Sequence, residues 1–128
     1  MSVAPGVTKT VLKPGNGTDF PEPGQEVSME YTGWLYDPKK PDNKGSQFDS
    51  SVGRGDLKTP IGVGRVIKGW DEGILGNDKV ARMSLGEKAT LTISSEYGYG
   101  NRGFPGHIPP NSPLIFDVEL KGINGKSA

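Results

Sequence analysis

VIKGWDEG, residues 66–73, is the one stretch of this chain with a convincing helical period. Val66, Trp70 and Ile74 recur at i, i+4 and i+8, which lays an apolar stripe along a helix and leaves Asp71 and Glu72 on the other side. Gly73 and Gly76 keep the helix short and mark its end. So short a helix, apolar on one face only, must lie on a sheet.

The strands of that sheet flank it. Between residues 27 and 35, Val27, Met29, Tyr31 and Leu35 alternate with Ser28, Glu30 and Thr32. Residues 89–93 place Ala89, Leu91 and Ile93 against Thr90 and Thr92, and residues 114–121 alternate Leu114, Phe116, Val118 and Leu120 with Asp117, Glu119 and Lys121. A period of two predicts half-buried, antiparallel strands. Residues 8–13 give a weaker strand. Residues 37–45, DPKKPDNKG, predict a solvated loop, and residues 76–82 a surface excursion after the helix. Residues 101–113 carry four prolines and no alternation, which predicts a stiff loop. The expected class is α+β: a twisted antiparallel sheet wrapped around one short helix, in a single domain spanning residues 1–128 with its core at about 7–124.

Composition agrees with that class and removes several functions. Twenty Gly and eleven Pro among 128 residues, with apolar residues spread throughout, predict short elements joined by many turns. Fifteen basic residues balance fifteen acidic ones without clustering, so neither nucleic acid nor a membrane surface is an expected partner. The absence of cysteine excludes disulfides, a thiolate nucleophile and Cys-based metal sites, and fits a reducing compartment. No secretory signal and no membrane-length apolar run are visible, so a cytoplasmic protein is expected.

Covalent chemistry is poorly supplied. The only histidine, His107, sits in the Pro-rich loop, where a surface role outweighs a catalytic one. No His, Asp or Glu spacing suggests a metal, and neither metal nor cofactor is expected. Gly62-Val63-Gly64 before the helix lacks the third glycine of a dinucleotide fingerprint and the ending of a P-loop. Asp71 and Glu72 diverge on a helix and read as solvated.

Six motifs in order carry a resemblance: YTG at 31–33, FDSS at 48–51, VIKGWDEG at 66–73, MSLGEKATLTI at 83–93, YGYG at 97–100 and PLIFDVEL at 113–120. From about residue 7 to 124 the chain resembles the FKBP class of peptidyl-prolyl isomerases. The resemblance implies an aromatic pocket between helix and sheet. Position by position, it places Tyr31, Phe48, Asp49, Trp70, Tyr99 and Phe116 in the catalytic pocket. It adds Arg54, Leu57, Val66, Ile67, Phe104, His107 and Ile108 as ligand contacts, the Ile67 N–H and Tyr99 hydroxyl donating to ligand carbonyls. Leu57 stands where many members have phenylalanine, Phe104 where some have histidine, and His107 where an apolar residue is common. The loops at 37–45 and 76–82 are longer than in the smallest relatives.

Taken alone, Trp70, Tyr31 and Phe116 read as core, Asp49 as a turn acceptor or helix cap, and Tyr97 and Tyr99 as turn packing. The resemblance reassigns Trp70, Asp49, Tyr99 and Phe116 to the site and leaves Tyr97 structural. It implies a monomer that isomerises X–Pro bonds in proline-containing peptides and proteins. It further implies binding of the macrolides tacrolimus and rapamycin, and drug-dependent binding of calcineurin or the TOR kinase through the pocket rim. A pure proline-binding module would use the same residues. An unrelated β-sandwich adhesion domain would lack the helix.

Overall fold

The computed structural model describes residues 5–128. The central helix, α1 (Lys68–Leu75), begins two residues after Val66, which the apolar stripe had included. Val66 is instead in the approach to the helix, because Ile67 is its extended N-cap residue. Trp70 and Ile74 are buried as the period requires, and Gly76, with φ 86°, ends the helix in a conformation that favours glycine.

The strands are β1 (Val7–Lys13), β2 (Glu26–Tyr36), β3 (Lys44–Ser50), β4 (Leu57–Pro60), β5 (Lys88–Ile93), β6 (Leu114–Ile123) and β7 (Lys126–Ser127). All pair antiparallel, in the order β1-β5-β6-β2-β3, with β4 also on β2 and β7 on β6. This is the α+β architecture read from the periods. Register carries the alternation across the sheet: Ala89, Leu91 and Ile93 stand opposite Val118, Phe116 and Leu114, and all six are buried. Tyr31, Gly33 and Leu35 face the same three β6 residues from the other side.

Two loop expectations and one helix expectation differ from the structure. Residues 37–45 are not loop throughout: a 3-10 turn occupies Pro41–Asn43, and Lys44 and Gly45 open β3. Lys44 is drawn into the sheet by an ion pair with Asp117 at 2.8 Å and by the Trp34 ring 4.4 Å beneath its ammonium. Residues 76–82 are not wholly on the surface, because Val80 is buried in the core. Asp71 is not merely solvated, since its carboxylate accepts hydrogen bonds from the Gly62 and Gly64 N–H groups at 2.7 and 3.2 Å. In the Pro-rich loop, Phe104 and Ile108 form an isolated antiparallel bridge.

How α1 meets the sheet positions everything else. A Cβ at Gly69 would lie 2.6 Å from Ile93 Cγ2, and one at Gly73 2.9 Å from Leu91 Cδ1. The helix backbone therefore lies directly on β5, and Trp70 between these glycines is pressed into the core. On β2, a Cβ at Gly33 would come within 2.6 Å of the Phe116 ring and 2.8 Å of the Phe48 ring. Room left by missing side chains is filled by aromatic ones.

Glycine-to-alanine substitution inside a helix normally gains up to about 1 kcal/mol. At Gly69 the sign is expected to reverse, because Ile93 is fully buried and has nowhere to move. Gly69→Ala should lose about 1–3 kcal/mol by overpacking, measured by urea denaturation. A stability equal to or above that of the parent would show that helix and strand are not in contact there.

Candidate functional site

Between α1, its approach segment and the inner face of β2, β3 and β6 lies a hollow of about 160 Å³ that opens to solvent. Tyr31, Phe48, Asp49, Leu57, Val66, Ile67, Trp70, Tyr99 and Phe116 line it, as does Arg65, which sequence reasoning did not single out. Four rings make its floor and walls. Tyr31 and Phe116 each stand edge-on to Trp70, at centroid distances of 5.1 and 5.4 Å, and Phe48 meets Phe116 at 5.5 Å. Such edge-to-face packing favours a rigid cluster. Trp70 is only 3% exposed, and its indole N–H is buried with no hydrogen-bond acceptor among the described residues.

One polar network interrupts the apolar wall. The Tyr31 hydroxyl donates to Asp49 at 2.7 Å, Arg54 pairs with the same carboxylate at 2.6 Å, and the Ser50 N–H donates to it at 2.9 Å. Partial burial alone would raise the Asp49 carboxyl. The hydrogen bonds from Tyr31, Arg54 and Ser50, with the Arg54 charge, outweigh it and hold the group below the ordinary carboxylate value. Burial first, then the hydrogen bond to Asp49, pushes the Tyr31 phenol up to about 12. Burial, followed by the Asp49 charge, also raises Tyr99. Across the neutral range the site therefore holds a fixed carboxylate and two protonated phenols.

Not every expected residue reaches the hollow. Arg54 acts from outside it through Asp49. Phe104 and His107 line an adjoining hollow with Phe48, Asp49 and Tyr99, in a stacked ladder with Tyr99–Phe104 at 5.8 Å and Phe104–His107 at 5.0 Å. Ile108 is 3% exposed and packs in the core. Leu57, 36% exposed, forms an aliphatic wall. Tyr97 packs against the core beneath the Lys68 ammonium, 4.6 Å from its ring, as its structural reading anticipated. Arg65 carried one legible signal: it sits directly before Val66 and Ile67 in the segment that feeds the helix.

No group of three or more His, Asp or Glu among the described residues could hold a metal ion. No helix among them is long and apolar enough to cross a membrane. What the hollow offers is a ring-lined, largely apolar seat with a few fixed polar groups at its edge.

Comparison with known proteins agrees with this geometry. The sequence model of the family described as FKBP-type peptidyl-prolyl cis-trans isomerase matches residues 17–121. The chain is 64% identical to FK506-binding protein 1 of Gibberella zeae, over 92% of this chain and 98% of that protein. It is 57% identical to a peptidyl-prolyl cis-trans isomerase of Schizosaccharomyces pombe, over 96% of this chain and 99% of that protein. The crystal structure of AtFKBP13 superposes with a TM-score of 0.79 at 39% identity, covering 94% of this chain and 93% of that one.

The network has a pH signature. Because the Asp49 value is depressed on folding, its stabilisation is fully present above the unfolded carboxylate value of about 4 and is lost as pH falls through the lower folded value. Asp49→Asn is therefore expected to lower thermal stability at neutral pH and to narrow the gap to the parent in acid. A gap that stays constant down to about pH 2 would contradict the pairing.

Proposed function

Because the chain belongs to the FKBP-type peptidyl-prolyl cis-trans isomerase family, we propose that this hollow is where a proline ring is seated while its peptide bond turns. The chain is a peptidyl-prolyl cis-trans isomerase; the roles of its residues are the substance of the proposal. The observation that carries it is the Tyr31–Trp70–Phe116–Phe48 ring cluster opening beside the Asp49 network.

An X–Pro bond turns slowly because rotation breaks amide resonance, at a cost of about 18–20 kcal/mol. A thousand- to million-fold acceleration needs about 4–8 kcal/mol of preferential binding to the twisted state. No bond is made or cut, so no nucleophile is required. The twisted amide loses the charge separation of the planar one, and a water-poor seat disfavours the planar form. Trp70 forms the floor under the pyrrolidine, with Tyr31, Phe48 and Phe116 as walls. Val66 and Leu57 add aliphatic contact.

Two donors hold the chain around the ring. Ile67, as N-cap residue, has an N–H with no partner inside the helix, and it lines the hollow. The Tyr99 hydroxyl lines the same hollow, with burial raising it further above the neutral range. Each would donate to a substrate carbonyl. Asp49, fixed by Tyr31 and Arg54, orients polar groups at the edge. Phe104 and His107, in the adjoining hollow, would contact residues flanking the proline, with Ile108 supporting their loop from the core.

The relatives' name, FK506-binding protein, supports binding of tacrolimus (FK506) in the same seat, and rapamycin is proposed with it. Drug-loaded, the rim and the loop at 103–113 would present a composite surface to calcineurin or the TOR kinase. A cytoplasmic monomer is proposed, in keeping with the absence of cysteine. A single domain with its core at 7–124 is supported by the continuous core and by the family match at 17–121.

The test is isomerisation of a Leu-Pro-Phe peptide, with and without tacrolimus. Asp49→Val is expected to lower kcat/KM by about ten- to a hundred-fold, the value of a charged hydrogen bond, and to weaken inhibition in parallel. Unchanged rate and inhibition would place the site elsewhere. Since neither Asp49 nor Tyr31 titrates in the neutral range, the profile of the parent should show no acid–base bell between about pH 5 and about pH 9. A bell centred there would reveal proton transfer that this mechanism does not contain.

A further inference from the structure

The hollow carries one charge that the isomerisation mechanism does not use. Two guanidinium groups stand near it. Arg54 is committed to the Asp49 carboxylate and to the Ser50 carbonyl. Arg65 lines the hollow itself, is exposed, and among the described residues makes no ion pair and no side-chain hydrogen bond.

An exposed arginine is ordinarily just a solvated side chain, but this one is mounted on a fixed frame. Gly62 and Gly64 adopt left-handed φ values of 81° and 77°, and both N–H groups are held by the Asp71 carboxylate from the first turn of α1. That clasp sets the path of the chain into Arg65, Val66 and Ile67, three consecutive residues that all line the hollow. It also occupies both oxygens of the nearest acid on the segment. On the opposite side, Asp49 is neutralised by Arg54. Lys68, the next cation along, is paired with Glu72 at 3.8 Å and lies over Tyr97. Asp71 keeps its charge behind the clasp, and Asp56, next to Leu57, is exposed. Arg65 is nevertheless the one cation that lines the hollow, beside the seat for the ring and without an ion-pair partner among the described residues.

Resting on the isomerase reading above, we infer that Arg65 is a specificity-determining residue that favours proline substrates carrying an acidic side chain within two residues of the proline. The distance sets that limit. An extended peptide advances about 3.3 Å per residue, so once the ring is seated, only the nearest flanking side chains fall within reach of the rim. The preference is electrostatic and partly screened, worth roughly two- to five-fold for an exposed pair.

The experiment compares Leu-Pro peptides carrying Glu, Gln or Lys at the first or second residue after proline, or at the second before it. The expected kcat/KM ratio of Glu to Lys peptides is about two- to five-fold at low salt at one or more positions, shrinking toward unity as salt rises. Arg65→Gln should abolish the ratio and Arg65→Glu invert it, with thermal unfolding of each variant confirming that it is folded. Because a ratio is read, a general change in activity does not enter. A ratio near unity at every position in the parent, or one that Arg65→Glu leaves in place, overturns the inference. The Gln peptides report separately on the isomerase reading: if the parent turns none of them, that reading fails. Titration calorimetry on the same Glu and Lys peptides then decides the charge preference by the same criteria.

Discussion

The site depends on three side chains that are missing. At Gly69 and Gly73 the helix backbone touches β5, and at Gly33 the backbone of β2 gives way to two phenyl rings. Any Cβ at these positions would displace either the helix or the rings. The close approach lowers Trp70 until its indole forms a floor, and the gap on β2 lets Phe48 and Phe116 meet above it. The hollow is thus a consequence of backbone packing, and its rings are held by the core that buries them.

Stability and function draw on the same groups here. Trp70 and Phe116 belong to the buried core and also line the opening. Tyr31 is a strand residue on the inner face, yet its hydroxyl is spent on Asp49. Rigid walls matter for a reaction driven by shape and dryness, because a seat that relaxed around the planar amide would give back the preference for the twisted one.

Much of this was legible in the sequence because its period is visible. The inner residues of β2, β5 and β6 alternate, although Ile115 between Leu114 and Phe116 is buried as well, and the helix stripe pointed to Trp70. What the period could not show were elements without alternation. Lys44–Ser50 pairs with β2 through two register shifts, and Leu57–Pro60 is four residues long, so neither carries a repeated pattern. Val80 and Ile108 lie in polar or Pro-rich surroundings and are buried only by tertiary contact. For the site, the family resemblance named every lining residue but Arg65, and all of those except Leu57 lie within the six motifs. A charged residue one position before an apolar pair is ordinary in sequence, and only the Asp71 clasp on Gly62 and Gly64 brings it to the rim.

The central claim is that the bond turns because a dry ring-lined seat binds its twisted form, with no proton moved as the barrier is crossed. Its most direct test is the solvent deuterium isotope effect on kcat/KM for a Leu-Pro peptide. The account predicts the same rate in heavy water as in light. A clear slowing in heavy water, of the kind a rate-limiting proton transfer produces, would contradict it.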